Sequence, residues 1–146
     1  MKKFLTIMVA VFAISSFASS GWSTNLPDAL KKAAKEKKYV LMDFTGSDWC
    51  PWCVKLDKEV FSKKEFKKYA KDNLVLVLVD FPRHKKIATK QKAANYALAE
   101  KYKVQGFPTV LLLDSKGKVV LRTGYKSGGP EKYVKQLQEA IEKQKK

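Results

Sequence analysis

Val40-Leu41-Met42-Asp43-Phe44 is a short apolar run interrupted by one acid, and Trp49-Cys50-Pro51-Trp52-Cys53 follows it across Thr45-Gly46-Ser47-Asp48. The run from Tyr39 to Phe44 reads as a buried strand, and Gly46, Ser47 and Asp48 make the next segment a loop. From Pro51 the pattern turns helical, with Cys53, Leu56 and Val60 on one face. Proline suits a first helical position because its missing N–H is not needed there. Cys50 therefore stands at the carboxyl end of a strand and the start of a helix, where the binding sites of α/β sheets gather.

The elements on either side extend the same pattern. Leu26, Ala29, Leu30, Ala33 and Ala34 predict a helix over about 27–37, with Pro27 and Asp28 in its first turn. Ser62 and Glu65 form a capping-box pair, so the helix after Cys53 is expected to break near 61 and resume through Phe66, Tyr69 and Ala70. Leu74 to Val79 is apolar without alternation, as in a strand covered on both sides, and is the expected centre of the sheet. Ala93, Ala94, Ala97, Leu98 and Tyr102 form another helical stripe. Thr109–Leu113 and Lys118–Thr123, joined by Asp114-Ser115-Lys116-Gly117, predict a hairpin, and Tyr133, Val134, Leu137 and Ile141 line the inner face of a last helix. The order αβαβαββα predicts an α/β sandwich: four strands with helices on both faces, the first connection parallel and the hairpin antiparallel.

Length and composition bound the answer. A chain of 146 residues supports one domain, and 45% apolar and 30% charged residues exclude a disordered or fibrous class. Thirty basic against 14 acidic side chains give a net charge of +16, with lysines recurring from Lys31 to Lys146. Such a chain is drawn to acidic partners and anionic surfaces, but the charge says nothing of the fold. Lys2 and Lys3, the apolar run Phe4 to Ile14 and the small residues Ser15, Ser16, Ala18, Ser19 and Ser20 have the order of a secretory signal peptide. The apolar run would span about 16 Å as a helix against a hydrocarbon core of about 30 Å, too short for a permanent anchor. We expect residues 1–20 to be removed after Ala18 or Ser20, leaving a basic, exported domain over 21–146.

In an exported protein, Cys50 and Cys53 can form a structural disulfide, a metal site or a redox couple. Closing so small a loop stabilises a chain by only about 2 kcal/mol, which is little beside a full core. Structural zinc needs four ligands, and the sole histidine, His84, lies in the lysine-rich loop 81–88 and reads as solvated; two-coordinate copper(I) is compatible with the spacing alone. No metal is therefore assigned. The redox reading uses what is present: unpaired N–H groups at the helix start favour the Cys50 thiolate, Lys55 and Lys58 add favourable potential, and Asp48 opposes it. An accessible Cys50 would attack a target disulfide, and a covered Cys53 would resolve the mixed disulfide. Asp43, an acid in an apolar strand, is the candidate proton acceptor, its pKa raised by desolvation.

The strand with its acid, the Trp-Cys-Pro-Trp-Cys motif, Gly106-Phe107-Pro108-Thr109 before the hairpin and Gly124 before the last helix occur in the order of the thioredoxin superfamily, which the chain resembles over nearly all of 26–142. The resemblance implies a thioredoxin fold, a three-layer sandwich whose mixed sheet has four strands, with the family's first edge strand absent or reduced to a few residues around Trp22. It also implies a cis peptide bond before Pro108, facing the sulfurs, with residue 107 offering its backbone to an extended substrate. Trp49, Trp52 and Phe107 would form an apolar rim. The spacing from Asp43 to Cys50 is one residue longer than in typical thioredoxins, and Phe44-Thr45-Gly46-Ser47-Asp48-Trp49 is similar to the exported bacterial group.

The segment between Asp80 and Pro108 is too short for the helical insertion of oxidase relatives, and no dimerisation module like that of isomerase relatives precedes the domain. The expected activity is thus that of a monomeric thiol:disulfide reductase. It would act on disulfide-containing exported proteins, be recharged by a membrane-bound electron donor, and use no cofactor beyond the Cys50–Cys53 disulfide. Oxidase or isomerase activity is the alternative within the same fold. A basic surface-binding adaptor with incidental thiols is the alternative in a different class, and nucleic acid is not an expected partner, because the aromatic-basic alternation of single-strand binders is missing.

Overall fold

The structure, a computed structural model, describes residues 21–146; the expected leader over 1–20 lies outside the described residues. Strand β1 (Trp22–Ser23) leads into helix α1 (Leu26–Glu36), whose first turn is capped by Asn25 Oδ1 accepting from the Asp28 N–H at 3.0 Å. Lys37 ends α1 in the left-handed region at φ 55°. Strand β2 (Tyr39–Thr45), helix α2 (Pro51–Leu56), a π-helical turn over Asp57–Phe61, helix α3 (Lys64–Asn73) and strand β3 (Leu74–Asp80) follow. Helix α4 (Thr89–Lys101), the hairpin β4 (Thr109–Leu113) and β5 (Val119–Thr123), and helix α5 (Gly129–Gln144) complete the chain.

The sheet has the order β1-β3-β2-β4-β5. β2 pairs in parallel with β3 and antiparallel with β4, so β2 and not β3 is the central strand. Both strands read as uniformly apolar in sequence, and the hairpin's choice of β2 as neighbour is what separates them. The edge strand around Trp22 is present in its reduced form, two residues paired in parallel with Leu76 and Val77, so the sheet has five strands.

Alternate residues of β2 divide the core. Val40, Met42 and Phe44 join Val75, Val77, Val79, Leu111 and Leu113 under α1 and α4. Leu41 joins Val110, Leu112, Phe66, Tyr133 and Leu137 under α2, α3 and α5. By the period of two, Asp43 shares the second face with Leu41.

Two local expectations are corrected. The break near 61 is a widened turn: the Ser62 N–H donates to the Asp57 carbonyl at 2.8 Å, and Val60 and Phe61, though consecutive, are both buried. Ser62 does not cap α3, whose N-cap is Lys63; its Oγ donates to Asp57 Oδ2 at 3.0 Å. On α4 the alanines 93, 94 and 97 are exposed. The inward anchor is Asn95, 2% exposed, which donates from Nδ2 to the Asp80 carbonyl at 2.8 Å and accepts from Gln91 Nε2 at 2.8 Å.

Candidate active site

β2 ends in a tight turn that delivers the cysteines to α2. The N–H groups of Trp49 and Cys50 both donate to the Gly46 carbonyl, at 3.2 and 2.9 Å. Cys50 is then the N-cap of α2, and its Sγ accepts from the Cys53 N–H at 3.3 Å. A helix-start N–H aimed at sulfur favours negative charge on it. Cys50 and Cys53 form a disulfide with their Cα atoms 5.2 Å apart, and Cys53 Sγ also accepts from the Gly46 N–H at 3.5 Å.

The expected contrast between an open Cys50 and a covered Cys53 does not take the form of exposure, since both residues are 4% exposed. The turn onto Gly46 folds Cys50 inward, and each bonded sulfur screens the other. What separates the two is what they face. Cys53, and not Cys50, lines a cavity of about 450 Å³ together with Asp43, Asp57, Ser62 and Lys67.

Asp43 is 6% exposed, and its Oδ1 has no hydrogen-bond partner. Burial first, then the negative charges of Asp57 and Asp80, push its carboxyl up to about 8. The acid read from the strand pattern therefore lies beneath the disulfide in a chamber it shares with Cys53.

The peptide bond between Phe107 and Pro108 is cis. Gly124, at the end of β5, lets the chain pass close behind this loop: a β-carbon there would meet the Pro108 carbonyl oxygen at 2.9 Å. The predicted apolar rim splits in two. Trp52 is 55% exposed beside Tyr125, with ring centroids 5.1 Å apart and Lys55 Nζ over both rings. Trp49 and Phe107 are half-buried in a cluster with Phe81: Trp49 meets Phe107 edge-on at 6.0 Å, Phe81 stacks on Phe107 at 5.0 Å, and the Trp49 Nε1–H donates to the Phe81 carbonyl at 2.7 Å.

Asp48, expected to oppose the thiolate, keeps its negative charge and has a second part in holding the loop after β3. Its carboxylate accepts from the backbone N–H groups of Arg83, His84 and Lys85 at 2.8–2.9 Å. These bonds, that of Arg83 foremost, hold the Asp48 carboxyl down to about 2. Asp80 completes the clamp, accepting from the Ser47 N–H and Oγ and pairing with Lys85 Nζ at 2.9 Å. His84 is thus an exposed loop residue, and among the described residues no group of three or more His, Cys, Asp or Glu comes together as a metal site. Sequence reasoning missed Gly46 as the anchor of the turn before Cys50 and Asp48 as the clamp on the basic loop. The extra residue between Asp43 and Cys50 was the signal that this loop carries an added task.

A family profile described as a thioredoxin-like domain matches residues 26–141. The chain is 37% identical over 114 residues to the disulfide bond reductase DsbH of Chlamydia pneumoniae, covering 78% of this chain and 69% of that protein. It is 31% identical over 103 residues to the thioredoxin-related protein DsbJ of the same organism, covering 70% of this chain but 30% of that protein. A solved DsbH oxidoreductase superposes with a TM-score of 0.79 at 36% identity, over 83% of each chain. With the cysteine pair closed as a disulfide at the start of α2, the chain belongs to the thioredoxin-like family, among the thiol:disulfide oxidoreductases of the thioredoxin superfamily.

Proposed function

We propose that the chain works as an exported thiol:disulfide reductase. The observation that carries this reading is the placement of the Cys50–Cys53 disulfide at a helix start above a buried, unpartnered Asp43. In the reduced protein the Cys50 thiolate attacks one sulfur of a target disulfide and expels the other as a thiolate. The Cys53 thiol gives its proton to the Asp43 carboxylate and attacks Cys50 Sγ, which forms the Cys50–Cys53 bond and releases the second target thiolate. Two electrons pass to the target. An acid held at about 8 can take and return a proton near neutral pH.

Trp52, Trp49 and Phe107 supply apolar surface to the target, and Pro108 sits in the loop along which an extended segment would lie. A membrane-bound donor returns electrons to the pair, the leader over 1–20 directs export, and the domain acts as a monomer. The name of one relative, the disulfide bond reductase DsbH, favours the reductase direction.

Reduction of insulin disulfides by the chain, followed as turbidity, tests the activity: Cys50→Ser should abolish it, whereas a basic adaptor with incidental thiols would keep its binding. In the reduced chain, Cys50 should be alkylated faster than Cys53, and equal rates would overturn the assigned roles. A reduction potential near that of thioredoxin, about −270 mV, is expected; a value near about −120 mV would make the protein an oxidase.

A further inference from the structure

We infer that Arg83 is an anion subsite beside the disulfide, selecting target segments that carry an acidic side chain next to the half-cystine under attack. The inference rests on the proposed reductase reading. Arg83 Cζ lies 3.7 Å from the centroid of the Trp49 ring, and Trp49 immediately precedes Cys50 and packs against Phe107. Stacking fixes the plane of the guanidinium and leaves its edge N–H donors pointing away from the ring. Among the described residues, no carboxylate lies within ion-pair distance of Arg83 and no acceptor takes a hydrogen bond from its side chain.

The two acids that could neutralise Arg83 are engaged elsewhere. Asp48 is bound to the N–H groups of residues 83–85, and Asp80 to Ser47 and Lys85. The same bonds pin the loop, so the charge is presented from a held backbone. The other flank differs: Lys55, over Trp52 and Tyr125, has Glu59 at 3.9 Å, and Glu59 Oε2 accepts from the Tyr125 hydroxyl at 2.6 Å. The positive charge left without a counter-ion beside the disulfide is therefore one-sided. A planar fork with free donors matches a carboxylate in two-bond geometry. The occupant is the Asp or Glu side chain of a target protein, entering over Trp49.

The test uses the full reduced chain and peptides of one sequence, each with a single disulfide, in which the residue beside one half-cystine is Glu, Gln or Lys. The Glu peptide should be reduced about five-fold faster than the Gln peptide at low salt, the Lys peptide more slowly still, and the advantage should shrink at high salt. Arg83→Gln should bring the Glu-to-Gln ratio to about one, whereas Lys143→Gln, which removes the same charge from the last turn of α5, should preserve it. A ratio that survives Arg83→Gln, or that falls equally in Lys143→Gln, overturns the subsite. Failure to reduce even the Gln peptide counts against the reductase reading. The subsite is then judged by tryptophan fluorescence titration of the oxidised chain with cysteine-free Glu and Gln peptides. Tighter binding of Glu, lost in Arg83→Gln, supports it, and equal binding overturns it.

Discussion

Gly46 lies so close beneath the indole of Trp49 that a β-carbon at position 46 would stand 2.5 Å from the ring. Gly46 also takes two N–H groups on its carbonyl and gives its own N–H to Cys53 Sγ. Gly46→Ala must push the indole away and break its bond to the Phe81 carbonyl. The expected cost is about 1–3 kcal/mol, read from urea unfolding, together with a change in tryptophan emission. Unaltered stability and spectrum would show that the ring is not held as described.

Asp43 makes the stability of the oxidised protein fall with rising pH. Below about pH 4 the carboxyl is protonated in both the folded and the unfolded chain; above that the unfolded chain loses the proton, while the folded chain keeps it until about pH 8. The folded state binds the extra proton across this window, so stability present below it is lost as pH climbs through it. Asp43→Asn cannot titrate. Its stability relative to the parent should rise between about pH 4 and pH 8 by an amount on the order of 5 kcal/mol or less. Urea unfolding of both proteins across that range checks this, and a constant difference would refute it.

Cys53→Ser should still attack a target disulfide but should stall, since no second thiol releases the adduct. A covalent complex between Cys50 and the target, visible on a non-reducing gel and dissolved by reductant, is the expected product. Full turnover by Cys53→Ser would mean that release does not require this sulfur.

Asp48→Ala removes the acceptor shared by three backbone N–H groups of the basic loop. Trypsin should then cut after Arg83, Lys85 or Lys86 several-fold faster than in the parent. In the parent, the carboxyl's depressed pKa keeps the clamp charged through and below the usual carboxylate range, and it is lost only as pH falls through about 2. Unchanged cleavage would show that the loop is held by other means.

The site was legible where its signals are local. The spacing of Cys50 and Cys53, the proline between them and the lone acid in β2 placed the chemistry at the start of α2 without any knowledge of pairing. Contacts distant in sequence were not legible. Nothing in the hydropathy of Leu74–Asp80 distinguishes it from Tyr39–Thr45, and only the antiparallel docking of β4 makes β2 the centre. Asn95 was invisible because a polar anchor contributes nothing to an apolar stripe, although it bonds the end of β3. Val60 and Phe61, two adjacent apolar residues where an α-helix would turn one of them outward, carried the trace of the widened turn. The roles of Gly46 and Asp48 depend on Trp49 and on a loop 35 residues away from Asp48, and only the folded chain brings them together.

Trp22 belongs at once to the two-residue clasp on β3 and to the wall of the chamber around Asp43. A ladder this brief frays at far lower cost than the sheet's interior strands. Trp22 would move with it, so the wall on that side of the Asp43 chamber is only as firm as the sheet's margin.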